Sequence, residues 1–213
     1  MTSFGGFFSA QVVSLQMTVG SRTYGMIAST STAVGTGRDQ PFSFNNLTST
    51  FDPISGMTSS NLPLSQAISG AWTPPTMAVI GTKAVITHPG FPIAGKLIGS
   101  LDITTPTAPV WTAGDLATNV LPSVPTAVAN FANRAWYACG QFLVFSDVLV
   151  PLTRTNATQV LTVGDTSTIT ALHGLPIVTA SSGVVQAMLV FKDFQVWQVT
   201  GDAASSTLAT NFL

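Results

Sequence analysis

Thr126-Ala-Val-Ala-Asn-Phe131, Arg134-Ala-Trp-Tyr-Ala-Cys139 and Gln141-Phe-Leu-Val-Phe-Ser146 follow one another with only Ala132-Asn133 and Gly140 between them. Each run is strand-length and rich in β-branched, aromatic or small apolar side chains, and each gap is a turn-sized break. A helix over Pro125 to Ala135 is the competing reading, but Val128 and Phe131 alone do not make an apolar stripe at helical spacing. The segment therefore reads as strand. A fourth run, Gln159–Val163, completes a set of four strands. Phe-Leu-Val-Phe at 142–145 is apolar in every position, which suits a sheet covered on both faces better than one open to water.

Working outward, the same grammar recurs. One set spans Thr76–Ile80, Ala84–His88, Lys96–Ile103 and Pro109–Thr112. Another spans Thr168–Leu172, Val184–Phe191, Phe194–Thr200 and Ser206–Phe212. Upstream, Ala10–Leu15, Thr23–Ser29, Pro41–Asn45 and Thr50–Pro53 form a further candidate set. The period is about 45–50 residues, the length of a propeller blade. Second strands follow a short polar turn carrying a cation, Lys83 in one set and Arg134 in the next. Third strands close on a small residue and an aspartate: Ser100-Leu-Asp102, Ser146-Asp147 and Gly201-Asp202. Such an aspartate can accept hydrogen bonds from the backbone of the turn that follows.

The fold expected is all-β and propeller-like, built from repeated four-stranded antiparallel blades. Residues 1–70 read as an N-terminal β region, a possible first blade with exposed loops at Ser29–Gly37 and Met57–Gly70. Residues 71–213 read as about three blades. Four blades are few for a closed ring, so the propeller is expected to be incomplete, as part of a longer chain or closed by another one. A Thr-rich β-sandwich is the alternative architecture.

Composition points the same way. Apolar residues make up 46% of the 213, including 13 Phe, so a sizeable core is available. Only 7% are charged, against roughly 25% in ordinary soluble domains. All eight acids are Asp, and only Lys83, Lys96 and Lys192 are lysines. With so few Lys and no Glu, surface helices would lack their usual stabilising pairs. A surface of Ser, Thr, Asn and Gln suits a subunit largely covered by neighbours. The net charge of −1 gives no electrostatic basis for gripping nucleic acid or a membrane surface. No apolar stretch reaches the ~18 residues that a membrane helix requires, and the first cation is Arg22, so no secretory leader is legible. The Asn-X-Thr triplets at Asn46 and Asn156 are taken as chance.

The residues offer little chemistry. His88 and His173 are the two histidines, each before a turn signal, and both read as structural turn residues. No His or Cys spacing suits zinc. Gly35-Thr-Gly37 lacks the rest of a dinucleotide fingerprint, and neither a phosphate-binding loop nor a nucleophile elbow occurs. Cys139, the lone cysteine, sits in an apolar run and reads as a buried thiol. Most Asp residues follow strand ends, where capping the backbone is the ordinary role; a glycosidase-like carboxylate pair is the rival use. Trp136 and Trp197 fall within strands and read as packing residues, whereas Trp72 and Trp111 stand beside prolines or strand ends and are the candidates for exposed contact. No catalytic, cofactor-binding or metal-binding residue is assigned, and the chain is expected not to be an enzyme.

Three pieces carry a resemblance: Ala-Asn-Arg134-Ala-Trp-Tyr-Ala, Phe-Leu-Val-Phe-Ser146-Asp147, and Gly183-Val-Val-Gln-Ala-Met-Leu-Val-Phe-Lys-Asp-Phe-Gln-Val-Trp-Gln-Val-Thr-Gly201-Asp202. They resemble the blades of β-propeller nozzle, or tail hub, proteins of short-tailed bacteriophages (P22-like and T7-like). The likeness covers roughly the last 80 residues and extends more loosely back to Trp72. It implies a structural protein of the virion tail, made in the host cytoplasm. It also implies a homo-oligomeric ring, typically sixfold, below the head-to-tail adaptor, with tail fibre or tailspike proteins as further partners. DNA would pass through non-specifically, and the protein would not span a membrane. Family members are much longer than this chain. A carbohydrate- or receptor-binding β-module of a phage particle is the alternative, and it expects an exposed platform containing Trp72 or Trp111. A propeller hydrolase and a jelly-roll capsid or decoration protein are more distant rivals.

Overall fold

A computed structural model describes residues 17–19, 22–27, 40–45, 50–52, 54, 76–88, 90–92, 95–105, 108–179, 183–201 and 209–213, with backbone alone over 17–52 and within 176–185. Among the described residues there is no helix. The strands form four four-stranded antiparallel sheets, each an up-and-down meander in chain order.

The first sheet comprises β1 (Met17–Val19), β2 (Arg22–Ile27), β3 (Gln40–Asn45) and β4 (Thr50–Asp52). The second comprises β5 (Thr76–Ile80), β6 (Lys83–Thr87), β7 (Ile98–Asp102) and β8 (Val110–Gly114). A two-residue β9 (Ala117–Thr118) follows. The third sheet takes β10 (Ala127–Phe131), β11 (Arg134–Cys139), β12 (Phe142–Phe145) and β14 (Val160–Thr162), with β13 (Thr153–Arg154) interposed. The fourth holds β15 (Ile169–Thr179), β16 (Gly183–Lys192), β17 (Val196–Thr200) and β18 (Ala209–Phe212).

The expected four-strand repeat is therefore present, with two differences at its ends. The strand expected over Ala10–Leu15 lies outside the described residues, and β2 pairs instead with Met17–Val19, Val19 standing opposite Arg22. In the fourth sheet β15 runs to Thr179, well past the expected end at Leu172.

Local chemistry accounts for the turns. Ala132 and Asn133 both adopt left-handed backbone angles, φ +51° and +57°, between β10 and β11. That is the mirror-image turn whose twist matches a two-residue hairpin. Gly140, at φ +62°, makes the next reversal.

The second, third and fourth sheets stack face to face, and the third is covered on both sides. Ala127, Ala129, Trp136, Leu143 and Phe145 from one of its faces form a core with Ile169, Met188, Val190 and Val199 of the fourth sheet. Val128, Ala135, Tyr137, Cys139 and Val144 from the other face pack with Ala78, Ile80, Val85 and Ile98 of the second. The pleat sends alternate residues to opposite faces, so every residue of β11 is buried. The all-apolar run 142–145 behaves as its sequence suggests, with three of four residues buried. In β16, by contrast, buried Met188 and Val190 alternate with half-buried Leu189 and Phe191. A third core occupies the far face of the second sheet, where Ala84, Ile86, Leu101, Ile103 and Trp111 enclose Ile54.

Between neighbouring sheets, the first strands lie closest: β10 runs beside both β5 and β15. Polar side chains there reach across to the next backbone. Val128 N donates to Thr76 Oγ1 (3.0 Å), Asn130 Nδ2 to Val79 O (2.7 Å) and Thr126 Oγ1 to Ile169 O (2.8 Å). A second tie is the parallel pairing of β9 with β13, where Thr153 faces Ala117 and Arg154 faces Thr118. This strap joins the second sheet's exit to the third sheet's edge.

Candidate functional site

The cations are the least expected feature. Of the five whose side chains are described, Arg134, Arg154 and Lys192 are buried. Arg134 opens β11, donates through Nη1 to Ser146 O (2.7 Å) and lies over the Phe145 ring at 5.7 Å. Arg154, in the strap, donates to the carbonyls of Val120 and Ala157, while Asn119 donates back to Arg154 O (2.9 Å). Lys192 donates to Val163 O (2.7 Å) and to Asp165 O, and it pairs with the Asp165 carboxylate at 3.1 Å. Lys83 stays at the surface, where it pairs with Asp102 at 3.0 Å. Each of these four therefore ties a strand to a loop or a neighbouring strand end. The cation at the second strand's start was legible in the sequence; its burial at Arg134 was not.

Asp102, Asp115 and Asp165 cap their own turns, and Asp147 accepts from a loop farther along the chain. Asp102 accepts from Thr104 N (2.9 Å), Asp115 from Leu116 N and Leu121 N (2.6 and 3.0 Å), and Asp165 from Ser167 N (3.0 Å). Asp147 accepts from Thr155 Oγ1 (2.6 Å) and Gln159 Nε2 (2.9 Å). Hydrogen bonding from the Thr104 side chain and backbone, with Lys83 beside it, holds Asp102 down at about 2. Burial works to raise Asp147, but the bonds from Thr155 and Gln159 outweigh it and the pKa falls below the usual value. Hydrogen bonds from Ser167 likewise lower Asp165. These carboxylates are held ionised, as acceptors.

His88 is buried in its turn, its Nδ1 accepting from Gly90 N (2.8 Å), in keeping with the turn reading. His173 departs from that reading. It lies exposed within β15, opposite Leu189. The Gly174 beside it is not a turn residue: a Cβ there would collide with the carbonyl oxygen of Asn130 in the neighbouring sheet. A strand glycine can mark a close approach as readily as a stop.

Trp111 is a second departure. It is 2% exposed and belongs to the core, not to a surface platform. Its indole covers Gly99 on the adjacent strand, where any Cβ would strike the ring, so the glycine supplies the slot that buries it. Trp72 lies outside the described residues. Trp136 is fully buried between Phe131 and Phe145, and half-buried Trp197 packs edge-on against Phe212 at 5.4 Å. Burial pushes the Cys139 thiol up to about 12. Among the described residues no three His, Cys, Asp or Glu gather where they could hold a metal ion, and no helix is long and apolar enough to cross a membrane. No family model, no curated protein and no solved structure matches this chain.

Proposed function

We propose that this chain is a structural, non-enzymatic subunit of a short-tailed bacteriophage tail, contributing propeller-like blades to a nozzle ring through which DNA passes. The observation that carries the reading is the stack itself. The second, third and fourth meanders lie face to face, their first strands side by side and bonded across by Thr76, Thr126 and Asn130. First strands that lie side by side in this way support a blade-like arrangement. The resemblance of the last 80 or so residues to nozzle proteins supplies the biological setting.

Charge placement fits a conduit. Each Lys or Arg contact to a phosphate adds salt-dependent affinity that would resist sliding. Here Arg134, Arg154 and Lys192 are spent on loop carbonyls inside the protein. The glycan-platform alternative loses Trp111, one of its two candidate contacts, because that ring is enclosed in a core. Electron microscopy of the purified protein tests the reading: a ring with a central channel is the expected particle. A dispersed monomer at every concentration would count against it.

A further inference from the structure

The second and third sheets are joined at both edges, in different ways. Their first strands, β5 and β10, lie side by side at one edge. Toward the other edge, the β9–β13 strap ties the chain leaving β8 to the connection between β12 and β14. The core between the two sheets holds Ile98, Tyr137 and Val144, and Leu116 and Leu121, which flank β9, are buried in it.

The closed strap carries two unfavourable features. Asn119 N donates to Ala117 O (2.9 Å) across Thr118, whose φ is +72°. A γ-turn of that hand is rare and strained, and for a β-branched residue such an angle is a genuine outlier. On the facing strand, Arg154 is buried and gives Nη1 to Val120 O and Nη2 to Ala157 O. Among the described residues, however, no acceptor meets its buried Nε, and a buried donor left unpaired weakens the closed state. Against these stand the two-residue ladder and Asn119 Nδ2, which donates to Arg154 O (2.9 Å) and Thr155 O (3.0 Å). The β5–β10 edge shows no such tension. Thr76 and Asn130 bond across it, and neither strand contains a left-handed residue. Backbone strain persists only where the surroundings enforce it, and it gathers in segments that switch.

We propose that the β9–β13 strap is a releasable clasp. It opens as a local unit while the four-stranded sheets stay folded, and the β5–β10 edge is the spine about which the second and third sheets part. The inference does not depend on the assembly reading. Opening relieves the Thr118 angle and lets water reach Arg154 Nε, and both offset the exposure of Leu116 and Leu121. Openings of this kind lie below the free energy of global unfolding. Cys139 belongs to the same core, and its thiol donates to Ser123 O (3.6 Å) in the segment between β9 and β10. The lone cysteine is therefore a built-in reporter of the open state.

Thiol labelling of Cys139 in the whole 213-residue protein, at fixed pH and across low denaturant, tests the clasp. The wild type should label at least ~10-fold faster than global unfolding allows. Its rate should barely respond to denaturant, because a local opening exposes little surface. Thr118→Gly removes the strain and should slow this labelling about 10-fold. Asn119→Ala removes the ties to Arg154 O and Thr155 O and should speed it about 5-fold. Labelling of the wild type that follows global unfolding, with its full denaturant slope, would overturn the clasp. So would fast labelling that neither substitution changes, since Cys139 would then be reached by another route.

Discussion

Gly174 and Lys192 show how single residues fix the spacing of the stack. At Gly174 the obstacle is a backbone carbonyl, which cannot rotate away as a side chain would. Gly174→Ala should therefore push the third and fourth sheets apart and cost about 1–3 kcal/mol, in the range of overpacked cores. Denaturant titration with an unchanged slope would show that stability alone had moved. Lys192 binds the loop at Val163 and Asp165 with a side chain enclosed in protein. Lys192→Met keeps the length but leaves Val163 O without its donor. A loss of about 2–3 kcal/mol is expected, read from the unfolding midpoint.

Among the elements, the third sheet was the most legible, because its strands are short, its breaks are turn residues and its apolar content is unbroken. Trp111 was not legible: its neighbours Pro109 and Val110 suggested an exposed strand end, and nothing local announces that Gly99 leaves a slot for its ring. The exit from β15 was misread for a related reason, since Gly174 signals a turn in sequence and a close approach in space. The strap was invisible because two-residue strands carry no periodicity, and its parallel partners stand far apart in the chain. Turn glycines were readable, and Gly140 gives a clean test. It has φ +62° with open space where a Cβ would stand. Gly140→Ala should cost only the dihedral penalty, about 1–2 kcal/mol, and Gly140→Asn less, by thermal unfolding.

Taken as a whole, the molecule holds three carboxylates, Asp102, Asp147 and Asp165, ionised and its thiol protonated, which shapes its response to pH. Asp102, at about 2, together with Asp147 and Asp165, lies below the unfolded value. Their stabilisation is present above pH ~4 and lost as pH falls through the folded values. Cys139, raised to about 12, acts in the opposite sense: its contribution is present below pH ~8.5 and lost as pH rises toward the folded value. The melting temperature should be highest across neutral pH and fall on both sides, with Asp102→Asn flattening the acid limb. The three cores also differ in a way that light can read. Trp111 lies in the core beyond the second sheet, Tyr137 between the second and third, and Trp136 between the third and fourth. Each cleft thus carries its own chromophore. With Trp72 and Trp197 replaced by Phe throughout, Trp136→Phe leaves Trp111 to report on the core beyond the second sheet and Trp111→Phe leaves Trp136 to report on the core between the third and fourth. Emission spectra recorded during unfolding would then give the order in which the layers part.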